Sequence, residues 1–383
     1  MNILEEIQNC PVEWKELGEV VDVLDSLRRP ITKSQRIPGD IPYYGANGIQ
    51  DYVKDWIFDG TFILMGEDGS VIKNDNSPIL HWVVGKIWVN NHAHILGEVP
   101  GCALLKYVYY VLSQTDVSDI VRGTPPKLNQ KNLKSIKIPI PPLEIQEKIV
   151  QTLDKFTDYV TELTSELTSE LTSRKKQYSF YRDKLLSFED EVYQVEWKTL
   201  GEVAENLDNM RKPVAKGGRS LGIYPYYGAS GIVDYVDSFI FDGDYLLISE
   251  DGANLVVRKT PIAFSISGKT WVNNHAHVLK FDNIINQKFV NYYLNYLDLS
   301  AYITGAAQPK LNQQNLNSIK IPYPSLEIQS RIVQVLDNFD MVCNDLNIGL
   351  PKEIELRQKQ YEYFREKLLT FVAEGEYTES RVE

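Results

Sequence analysis

Two histidines separated by a single residue occur in a seven-residue motif that the chain contains twice. The motif, Trp-Val-Asn-Asn-His-Ala-His, spans residues 88–94 and again residues 271–277. On a strand, the two histidine side chains would project from one face and could in principle bind zinc. A structural zinc site needs four ligands, and neither half has a cysteine cluster near the motif. We therefore expect no metal here. Two interpretations remain open: a buried histidine bonded to the backbone, or a recognition surface in which asparagine pairs with a base edge.

Two other patterns suggest enzymatic chemistry, and both have simpler explanations. Gly268-Lys269-Thr270 fits a loose phosphate-binding loop, but such a loop precedes a helix, whereas the residues that follow here have a strand pattern. The acid pairs Glu67-Asp68 and Glu250-Asp251 each precede glycine, as turn residues commonly do, although they could also bind a metal. The sequence contains no His-Glu-x-x-His motif and no amino-methyltransferase motif. Nucleotide binding and catalysis are therefore not expected.

Basic side chains recur in loops at matched positions of the two halves. Lysine or arginine beside small residues can contact a phosphate backbone, whereas for any one residue a solvated surface charge is the alternative. We group these cations with the repeated tyrosines and the Asn-Asn-His triplet as candidate nucleic-acid contacts. In the first half the candidates are Arg28, Arg29, Lys33, Arg36, Tyr43, Tyr44, Asn90, Asn91, His92, Arg122 and Lys127. In the second half they are Arg211, Lys212, Lys216, Arg219, Tyr226, Tyr227, Asn273, Asn274, His275 and Lys310.

These residues belong to a sequence that is duplicated almost from end to end. Val12-Glu-Trp-Lys returns at Val195 and Pro126-Lys-Leu-Asn-Gln returns at Pro309, both with an offset of 183 residues. A period of this length indicates a duplicated domain rather than a solenoid, so the two halves should share one fold. Short strands that end at Asp-Gly turns, together with helical spacing over residues 287–297, predict a mixed α/β domain in each half.

A long helical segment follows each α/β domain. Residues 143–188 contain no proline or glycine, and their apolar residues recur at steps of three or four, as in a coiled-coil seam. The copy, residues 326–371, follows Ser325, a favourable N-cap, and contains Gly349 and Pro351, where we expect a kink or break. Because neither apolar stripe can remain exposed, we predict that the helices pair as an antiparallel coiled coil, with pseudo-two-fold symmetry between the halves.

The overall composition is that of an ordinary soluble protein with two domains. The chain has 383 residues, 43% of them hydrophobic, and a net charge of −12. This charge argues against nucleic acid covering the whole surface, but it does not exclude a local basic face. No apolar run of membrane-spanning length occurs, and the three cysteines lack paired or metal-binding spacing. We expect reduced thiols and a cytoplasmic location.

Two stretches of sequence resemble the specificity subunit of type I restriction-modification enzymes. One is Gly123-Thr-Pro-Pro-Lys-Leu-Asn-Gln with the following Ile138-Pro-Ile-Pro-Pro-Leu-Glu-Ile-Gln, and the other is its copy from Lys310 and Ile321. The resemblance covers nearly the whole chain. It implies a subunit without catalysis of its own, in which each recognition domain reads one half of a bipartite double-stranded DNA target. The paired helices would set the spacing of the domains and dock two modification subunits.

The same resemblance places the cofactors on partner proteins. The modification subunits would bind S-adenosylmethionine and methylate adenine, and restriction subunits that use ATP with Mg²⁺ could join them, so this chain needs no cofactor. The implied organisation is a recognition domain, a spacer helix, a second recognition domain and a second spacer helix with a tail, at residues 1–142, 143–190, 191–325 and 326–383. The alternative is a coiled-coil interaction scaffold that does not bind DNA.

Overall fold

The computed structural model describes residues 3–69, 71–188, 195–305 and 308–379. The chain forms two compact units, which we call unit 1 (Met1–Ser165 with Glu355–Glu383) and unit 2 (Glu166–Ile354). The unit boundaries fall inside the long helical segments, so the four-part division stays a prediction. Its limits at 189–194 and the tail at 380–383 lie outside the described residues. None of the helices in the described ranges is long and apolar enough to cross a membrane.

Unit 1 contains a mixed α/β domain built on a six-stranded sheet. Its strands are β1 (Glu13–Glu16), β2 (Val21–Val23), β3 (Pro38–Gly45), β4 (Gly48–Val53), β5 (Phe58–Gly66), β6 (Leu80–Val89), β7 (Ala93–Glu98) and β8 (Lys137–Ile140). Its helices are α1 (Ile3–Gln8), α2 (Leu17–Val20), α3 (Leu105–Leu112), α4 (Gln130–Lys134) and the first part of α5 (Leu143–Ser187). The sheet order is β2-β7-β5-β6-β3-β4, and β1 pairs separately with β8.

The central strands of this sheet are buried on both faces. Because side chains alternate along a strand, Ile63 and Met65 of β5 enter one apolar core with helix α3, whereas Leu64 enters a second core with Val83 and Ile95. Complete burial of one such side chain contributes roughly 1.5–3 kcal/mol. All neighbouring strands pair antiparallel except β3 and β6, which are parallel. The end of β6 therefore lies beside the end of β3.

Unit 2 repeats this architecture with shorter strands. Its strands are β9 (Glu196–Thr199), β10 (Glu205–Asn206), β11 (Leu221–Gly228), β12 (Gly231–Val236), β13 (Phe241–Asp242), β14 (Tyr245–Ser249), β15 (Ala263–Ile266), β16 (Lys269–Val272), β17 (Ala276–Lys280) and β18 (Lys320–Tyr323). Its helices are α6 (Leu200–Val203), α7 (Asn254–Val257), α8 (Ile284–Tyr296), α9 (Gln313–Ser318), α10 (Leu326–Asn344) and the start of α11 (Leu350–Glu379). The strand orders are β10-β17-β14-β15 and β12-β11-β16-β13.

A pair of facing glycines with positive φ lies at the same place in both units. Gly60 of β5 lies opposite Gly85 of β6, with φ of 154° and 90°. In unit 2, Gly243 and Gly268 exchange backbone hydrogen bonds with φ of 141° and 78°, and each long strand is divided there into two short ones. Positive φ is available at little cost only to glycine. Gly268 directly precedes β16, which contains Lys269 and Thr270, so a strand and not a helix follows this glycine.

Within unit 1 the long helices pack antiparallel. Ile149 and Leu153 of α5 share the buried core with Leu368 of α11. The rings of Phe156 and Phe364 stack with centroids 5.6 Å apart, so positions later in α5 meet positions earlier in α11. The predicted antiparallel pairing of long helices is thus present in this unit.

Within unit 2 the pairing is again antiparallel, and the second long segment is broken. Tyr181 of α5 stacks on Phe339 of α10, while Leu186, later in α5, shares a core with Ile332, earlier in α10. Helix α10 ends at Asn344 and α11 begins at Leu350, which confirms the expected break. The hydroxyl of Ser325 accepts from the backbone N–H of Ile328, as expected of an N-cap.

Candidate nucleic-acid interface

The repeated seven-residue motif joins two central strands through a turn. In unit 1 the motif runs from the end of β6 into β7, and the indole Nε1 of Trp88 donates to the carbonyl of Arg29 at 2.6 Å. In unit 2 the indole of Trp271 donates to the carbonyl of Lys212 at the same distance. Each tryptophan therefore fixes the loop that carries the first cluster of predicted cations. The strand pattern of the residues before the motif places the tryptophan in a strand, and the Asn-Asn-His residues form the turn that follows it.

Asn90 and Asn273, which we predicted to read base edges, build that turn. The side-chain oxygen of Asn90 accepts from the backbone N–H of His92 at 2.8 Å, and Asn273 makes the same bond to His275 at 2.8 Å. Both asparagines are buried, with 4% and 7% exposure. An asparagine that bonds its own backbone two residues on is a standard turn former. The following residues, Asn91 and Asn274, are exposed and remain candidates.

The two histidines of each motif occupy different environments, contrary to the expectation that they share one strand face. His94 is completely buried in β7, where its Nδ1 lies 2.6 Å from a carboxylate oxygen of Asp25 and its Nε2 donates to the carbonyl of Leu128 at 2.7 Å. His277 has the matching bonds to Asp208 and Leu311. The interpretation of a buried histidine bonded to the backbone is correct for this position. It ties β7 to the loop before α4 in unit 1, and the copy ties β17 to the loop before α9 in unit 2.

His92 and His275 lie in the turn and are about half exposed. The Nδ1 atom of His92 is 2.5 Å from Asp68, and that of His275 is 2.8 Å from Asp251. In each acid pair that precedes glycine, the aspartate, Asp68 or Asp251, therefore orients the exposed histidine ring. The outward edge of each imidazole remains available to a ligand.

The other member of each acid pair is the centre of an internal ionic cluster. Glu67 is bonded by Arg28 at 2.5 Å and by Lys127 at 3.2 Å, and the Arg28 side chain is only 13% exposed. Arg28 also donates to the carbonyl of Ala93 at 2.9 Å. In unit 2, Glu250 is bonded by Arg211 and by Lys310. Arg28 and Arg211 were predicted as phosphate contacts, but their guanidinium groups are occupied inside the domain, which assigns them a structural role.

The same cluster contains a metal-type donor set. Asp25, Glu67 and His94 offer ligand atoms that lie within 4.8 Å of one another, and the equivalent residues of unit 2 do the same. Arg28 and Lys127 already neutralise these carboxylates, and two cations at the centre would repel a divalent ion. The arrangement is a salt-bridged cluster that joins four distant segments of the chain.

Charge pairing inside the cluster controls the protonation of its carboxylates. Burial alone would raise the pKa of Asp25, but the hydrogen bond and charge of His94, together with Arg28, hold the pKa below its usual value. Asp208 has a lowered pKa for the same reasons, with burial again opposed by His277 and Arg211. In Glu250 burial is outweighed chiefly by the hydrogen bond from Arg211, and its pKa is also lowered. These carboxylates are ionised at neutral pH, as the ionic cluster requires.

Arg36 and Arg219 are also engaged within their domains. The guanidinium of Arg36 lies 4.1 Å from the ring centre of Tyr43 and bonds Asp51 at 3.1 Å, and this bond is the main cause of the lowered pKa of Asp51. Arg219 repeats the contact over Tyr226 at 4.3 Å. Tyr43 and Tyr226, which we predicted to contact nucleic acid, are buried at 1% exposure and lie in the interior of their domains.

The exposed candidates form the remaining set on each unit. They include Lys127 and Lys310, which are half exposed although each is paired with a glutamate. Tyr44 and Tyr227 are partly buried. In unit 1 the exposed residues are Arg29, Lys33, Asn91, His92, Arg122 and Lys127. In unit 2 they are Lys212, Lys216, Asn274, His275 and Lys310.

The loop that carries Arg122 is one residue longer in unit 2. A backbone bridge closes it between Arg122 and Lys127 in unit 1, and between Thr304 and Lys310 in unit 2. A glycine with positive φ follows the first bridge residue in both copies. Arg122 therefore has threonine as its counterpart, and this exposed loop differs between the units in both charge and length. Residues 306–307 of the loop lie outside the described residues.

Sequence reasoning missed Asp25 and Asp208, which organise the buried cluster. A signal existed, because Leu24-Asp-Ser-Leu-Arg28 returns as Leu207-Asp-Asn-Met-Arg211 with the offset of 183. It also missed the side chains around Tyr44 at the end of β3, where Asn90 donates to Gln50 at 3.2 Å and His81 lies beside the tyrosine ring. These contacts join strands that are far apart in sequence.

Comparison with known proteins identifies one family repeatedly. The profile described as "Type I restriction modification DNA specificity domain" matches residues 11–173 and again residues 194–356. A putative type I restriction enzyme specificity subunit of Haemophilus influenzae is 35% identical over 95% of this chain and 97% of its own length. The EcoR124I/EcoR124II specificity subunit of Escherichia coli is 37% identical over 97% of both chains.

Solved structures show the same fold. The S subunit of a type I restriction-modification system from M. genitalium has a TM-score of 0.55 at 18% identity, covering 94% of this chain and 96% of that chain. A structure described as the basis of complex assembly and conformational transition of the type I system has a TM-score of 0.56 at 14% identity, covering 96% of this chain and 98% of that chain. The predicted class of fold, homologous mixed α/β domains with long helices, is confirmed.

Proposed function

The chain belongs to the type I restriction-modification DNA specificity family, and on that premise we propose that its two units each recognise one half of a bipartite double-stranded DNA target. It is the DNA sequence-recognition subunit of a type I restriction-modification complex and not a catalytic subunit. The observation that carries the proposal is the duplication, since each unit has its own set of paired strands, buried cluster and exposed set of polar and basic side chains. The alternative of a scaffold that does not bind DNA is not favoured.

The exposed side chains suggest how the two kinds of DNA contact are divided. Arg29 and Lys33, with Lys212 and Lys216 in unit 2, lie in loops and contact phosphate groups, which fixes the position of the domain without specifying sequence. Asn91, His92 and their copies lie at the turn of the repeated motif and face base edges. The tryptophan bond to the neighbouring loop holds the phosphate contacts at a constant distance from this turn.

The partner subunits supply the chemistry. Two modification subunits dock on the paired helices, bind S-adenosylmethionine and methylate adenine, and restriction subunits that require ATP with Mg²⁺ join that complex. Exposed apolar residues on the long helices, among them Tyr159, Phe180 and Leu356, provide contact area for such partners. The paired helices set the distance between the two half-sites.

The proposal is tested by selection of DNA with the complex of this chain and its modification subunits. The library carries two randomised blocks separated by gaps of several lengths. The expected product is one pair of short sequences at one preferred gap. Selection of a single continuous sequence, or of none, would contradict the proposal. A complex that carries Lys212→Ala and Lys216→Ala serves as a control for phosphate contacts, because it should bind less tightly while it selects the same sequence.

A further inference from the structure

The two units offer an internal comparison, because an identical frame surrounds side chains that differ. Tyr-Tyr-Gly-Ala at 43–46 and the repeated motif at 88–94 are unchanged in unit 2, and we call these two segments the frame. Two positions that contact this frame change their chemistry. Gln50 of β4 corresponds to Val233 of β12, and His81 of β6 corresponds to Phe264 of β15, at the offset of 183 residues.

In unit 1 both positions carry hydrogen-bonding side chains. The amide oxygen of Gln50 accepts from Nδ2 of Asn90 at 3.2 Å. The Nε2–H of His81 donates to the carbonyl of Ala46 at 3.3 Å, and its ring centre is 6.4 Å from that of Tyr44. Gln50 is an exposed residue, and His81 is partly exposed. This end of the sheet therefore presents donors and acceptors to the solvent.

In unit 2 the same positions are apolar, but the backbone geometry is retained. The ring of Phe264 is 6.1 Å from that of Tyr227, tilted by 37° where the unit 1 pair is tilted by 42°. The carbonyl of Ala229 accepts instead from the hydroxyl of Ser249 at 2.5 Å, and the position equivalent to Ser249 in unit 1 is Gly66. In unit 2 the hydrogen bond to the alanine carbonyl comes from Ser249. The residue at position 264 therefore does not have to donate this bond, and a phenylalanine can stand there.

Folding does not require the change of chemistry at position 233, whereas Phe264 also packs against the apolar core that contains Leu247 and Val278. Val233 is 56% exposed, and a valine at an exposed position of a hairpin gains little from burial. The backbone N–H of Asn90 donates to Tyr44 and that of Asn273 donates to Tyr227, both at 3.0 Å, so the turn is held identically with either set of side chains. The exposed Asn91 and Asn274 follow directly in sequence, which places these positions beside the candidate base-reading turn.

We propose that positions 50 and 81 of unit 1, and 233 and 264 of unit 2, are the specificity-determining pairs of the two recognition domains. The inference rests on the function proposed above. Glutamine and histidine recognise a purine by hydrogen bonds to its major-groove edge, adenine being the usual partner of a glutamine amide. Valine and phenylalanine recognise the C5 methyl group of thymine by apolar contact. At matched positions, therefore, the half-site of unit 1 has a purine where that of unit 2 has thymine.

The test exchanges the pair between units within the complex that contains the modification subunits. The unit 1 variant is Gln50→Val with His81→Phe, and it includes Gly66→Ser so that a hydroxyl replaces the lost bond to Ala46. DNA selected from a library with both half-sites randomised should show thymine in place of the purine at one or two positions of a single half-site. The change in relative enrichment should be at least about tenfold, while the other half-site stays the same.

Two further variants make the result decisive. Val84→Ser is the matched control, because Val84 is 69% exposed and also differs from its counterpart, Ser267, yet lies elsewhere on β6; it should select the wild-type site. The reverse exchange, Val233→Gln with Phe264→His, should alter the other half-site, and it decides the question if the unit 1 variant does not fold. A folded exchange variant that selects the wild-type site overturns the inference and leaves the proposed function intact. A wild-type complex that selects no bipartite site overturns both.

Discussion

At the residue scale, the repeated motif contains two histidines with opposite tasks. His94 is inaccessible and bridges Asp25 and the carbonyl of Leu128, whereas His92 lies two residues earlier in a turn and is half exposed. Sequence spacing alone could not separate them, because it was the turn formed by Asn90 that broke the strand alternation. A residue whose type and spacing suggest a binding site can therefore have a structural role in the core instead.

The first prediction compares these two histidines. His94→Ala leaves a buried carboxylate and a buried carbonyl without their partner, so it should lower the free energy of unfolding by about 3 kcal/mol. His92→Ala should change it by less than about 0.5 kcal/mol, because the site is a half-exposed surface position. Urea titration of the full chain measures both. Equal losses in the two variants would show that the buried cluster does not stabilise the domain.

The second prediction compares the adjacent cations Arg211 and Lys212. Arg211→Ala should reduce stability, since Glu250 loses its buried partner. Lys212→Ala should leave stability unchanged and lower the slope of log binding constant against log salt concentration by about 1, as expected for one lost phosphate contact. Binding of the reconstituted complex is measured over a series of salt concentrations. An unchanged slope for Lys212→Ala would remove this lysine from the DNA contacts.

The third prediction concerns acid. The pKa of Asp25 is below that of an unfolded chain, so its ionised form stabilises the fold above about pH 4, and this stabilisation is lost as pH falls through the lower folded value. Asp25→Asn should therefore be less stable than the wild type at pH 7, and its stability should fall less between pH 5 and pH 3. Denaturant midpoints across this range test the sign. Asp22→Asn, at an exposed site, should follow the wild-type curve.

At the element scale, the helices were more predictable than the contacts of the sheet. Helix α5 spans Leu143–Ser187, close to the predicted 143–188, because the uninterrupted apolar spacing is local information. The break at Gly349 is local as well. A Cβ atom there would lie 2.6 Å from the carbonyl oxygens of Met341 and Asp345, and Pro351 lies in the first turn of α11, where its missing N–H costs nothing.

The burial of Tyr43 and Arg28 could not be predicted in the same way. Both side chains are recurrent and of the types that contact nucleic acid, which is why they were candidates. Their environment depends on residues 51, 67 and 93, which only the strand pairing brings near. Pattern identifies which residues recur, whereas the tertiary structure decides which of them face solvent.

The fourth prediction uses the tetrapeptide Glu-Leu-Thr-Ser, which occurs three times from Glu162 to Ser173 within α5. Its leucines at 163, 167 and 171 are partly buried along one stripe. Each repeat adds about 6 Å of helix, which is nearly two base-pair steps of about 3.4 Å. Deletion of Glu166–Ser169 should keep both half-site sequences and shorten the preferred gap by one or two base pairs. If the variant selects the same gap from a library of varied spacings, the length of α5 does not set the distance between the half-sites.

At the scale of the whole molecule, the duplication is what sequence revealed most reliably. The offset of 183 residues predicted two copies of one domain, and both units have the same strand pairings, the same ionic cluster and the same pair of facing glycines. The differences between copies were visible in the sequence but had no meaning until the frame around them was known. In the sequence alone, Gln50 and Val233 are one difference among many. In the structure Gln50 lies beside Asn90 and Val233 lies beside Asn273, so the two residues occupy equivalent places.

The central claim, that this chain determines which DNA sequence is modified, is tested most directly by sequencing methylated adenine across the host genome with and without the chain. We expect one bipartite motif to be methylated in the host that contains the chain and unmethylated after its deletion, with methylation restored when the wild-type chain is returned. Methylation patterns that are identical in the presence and absence of the chain would contradict the account.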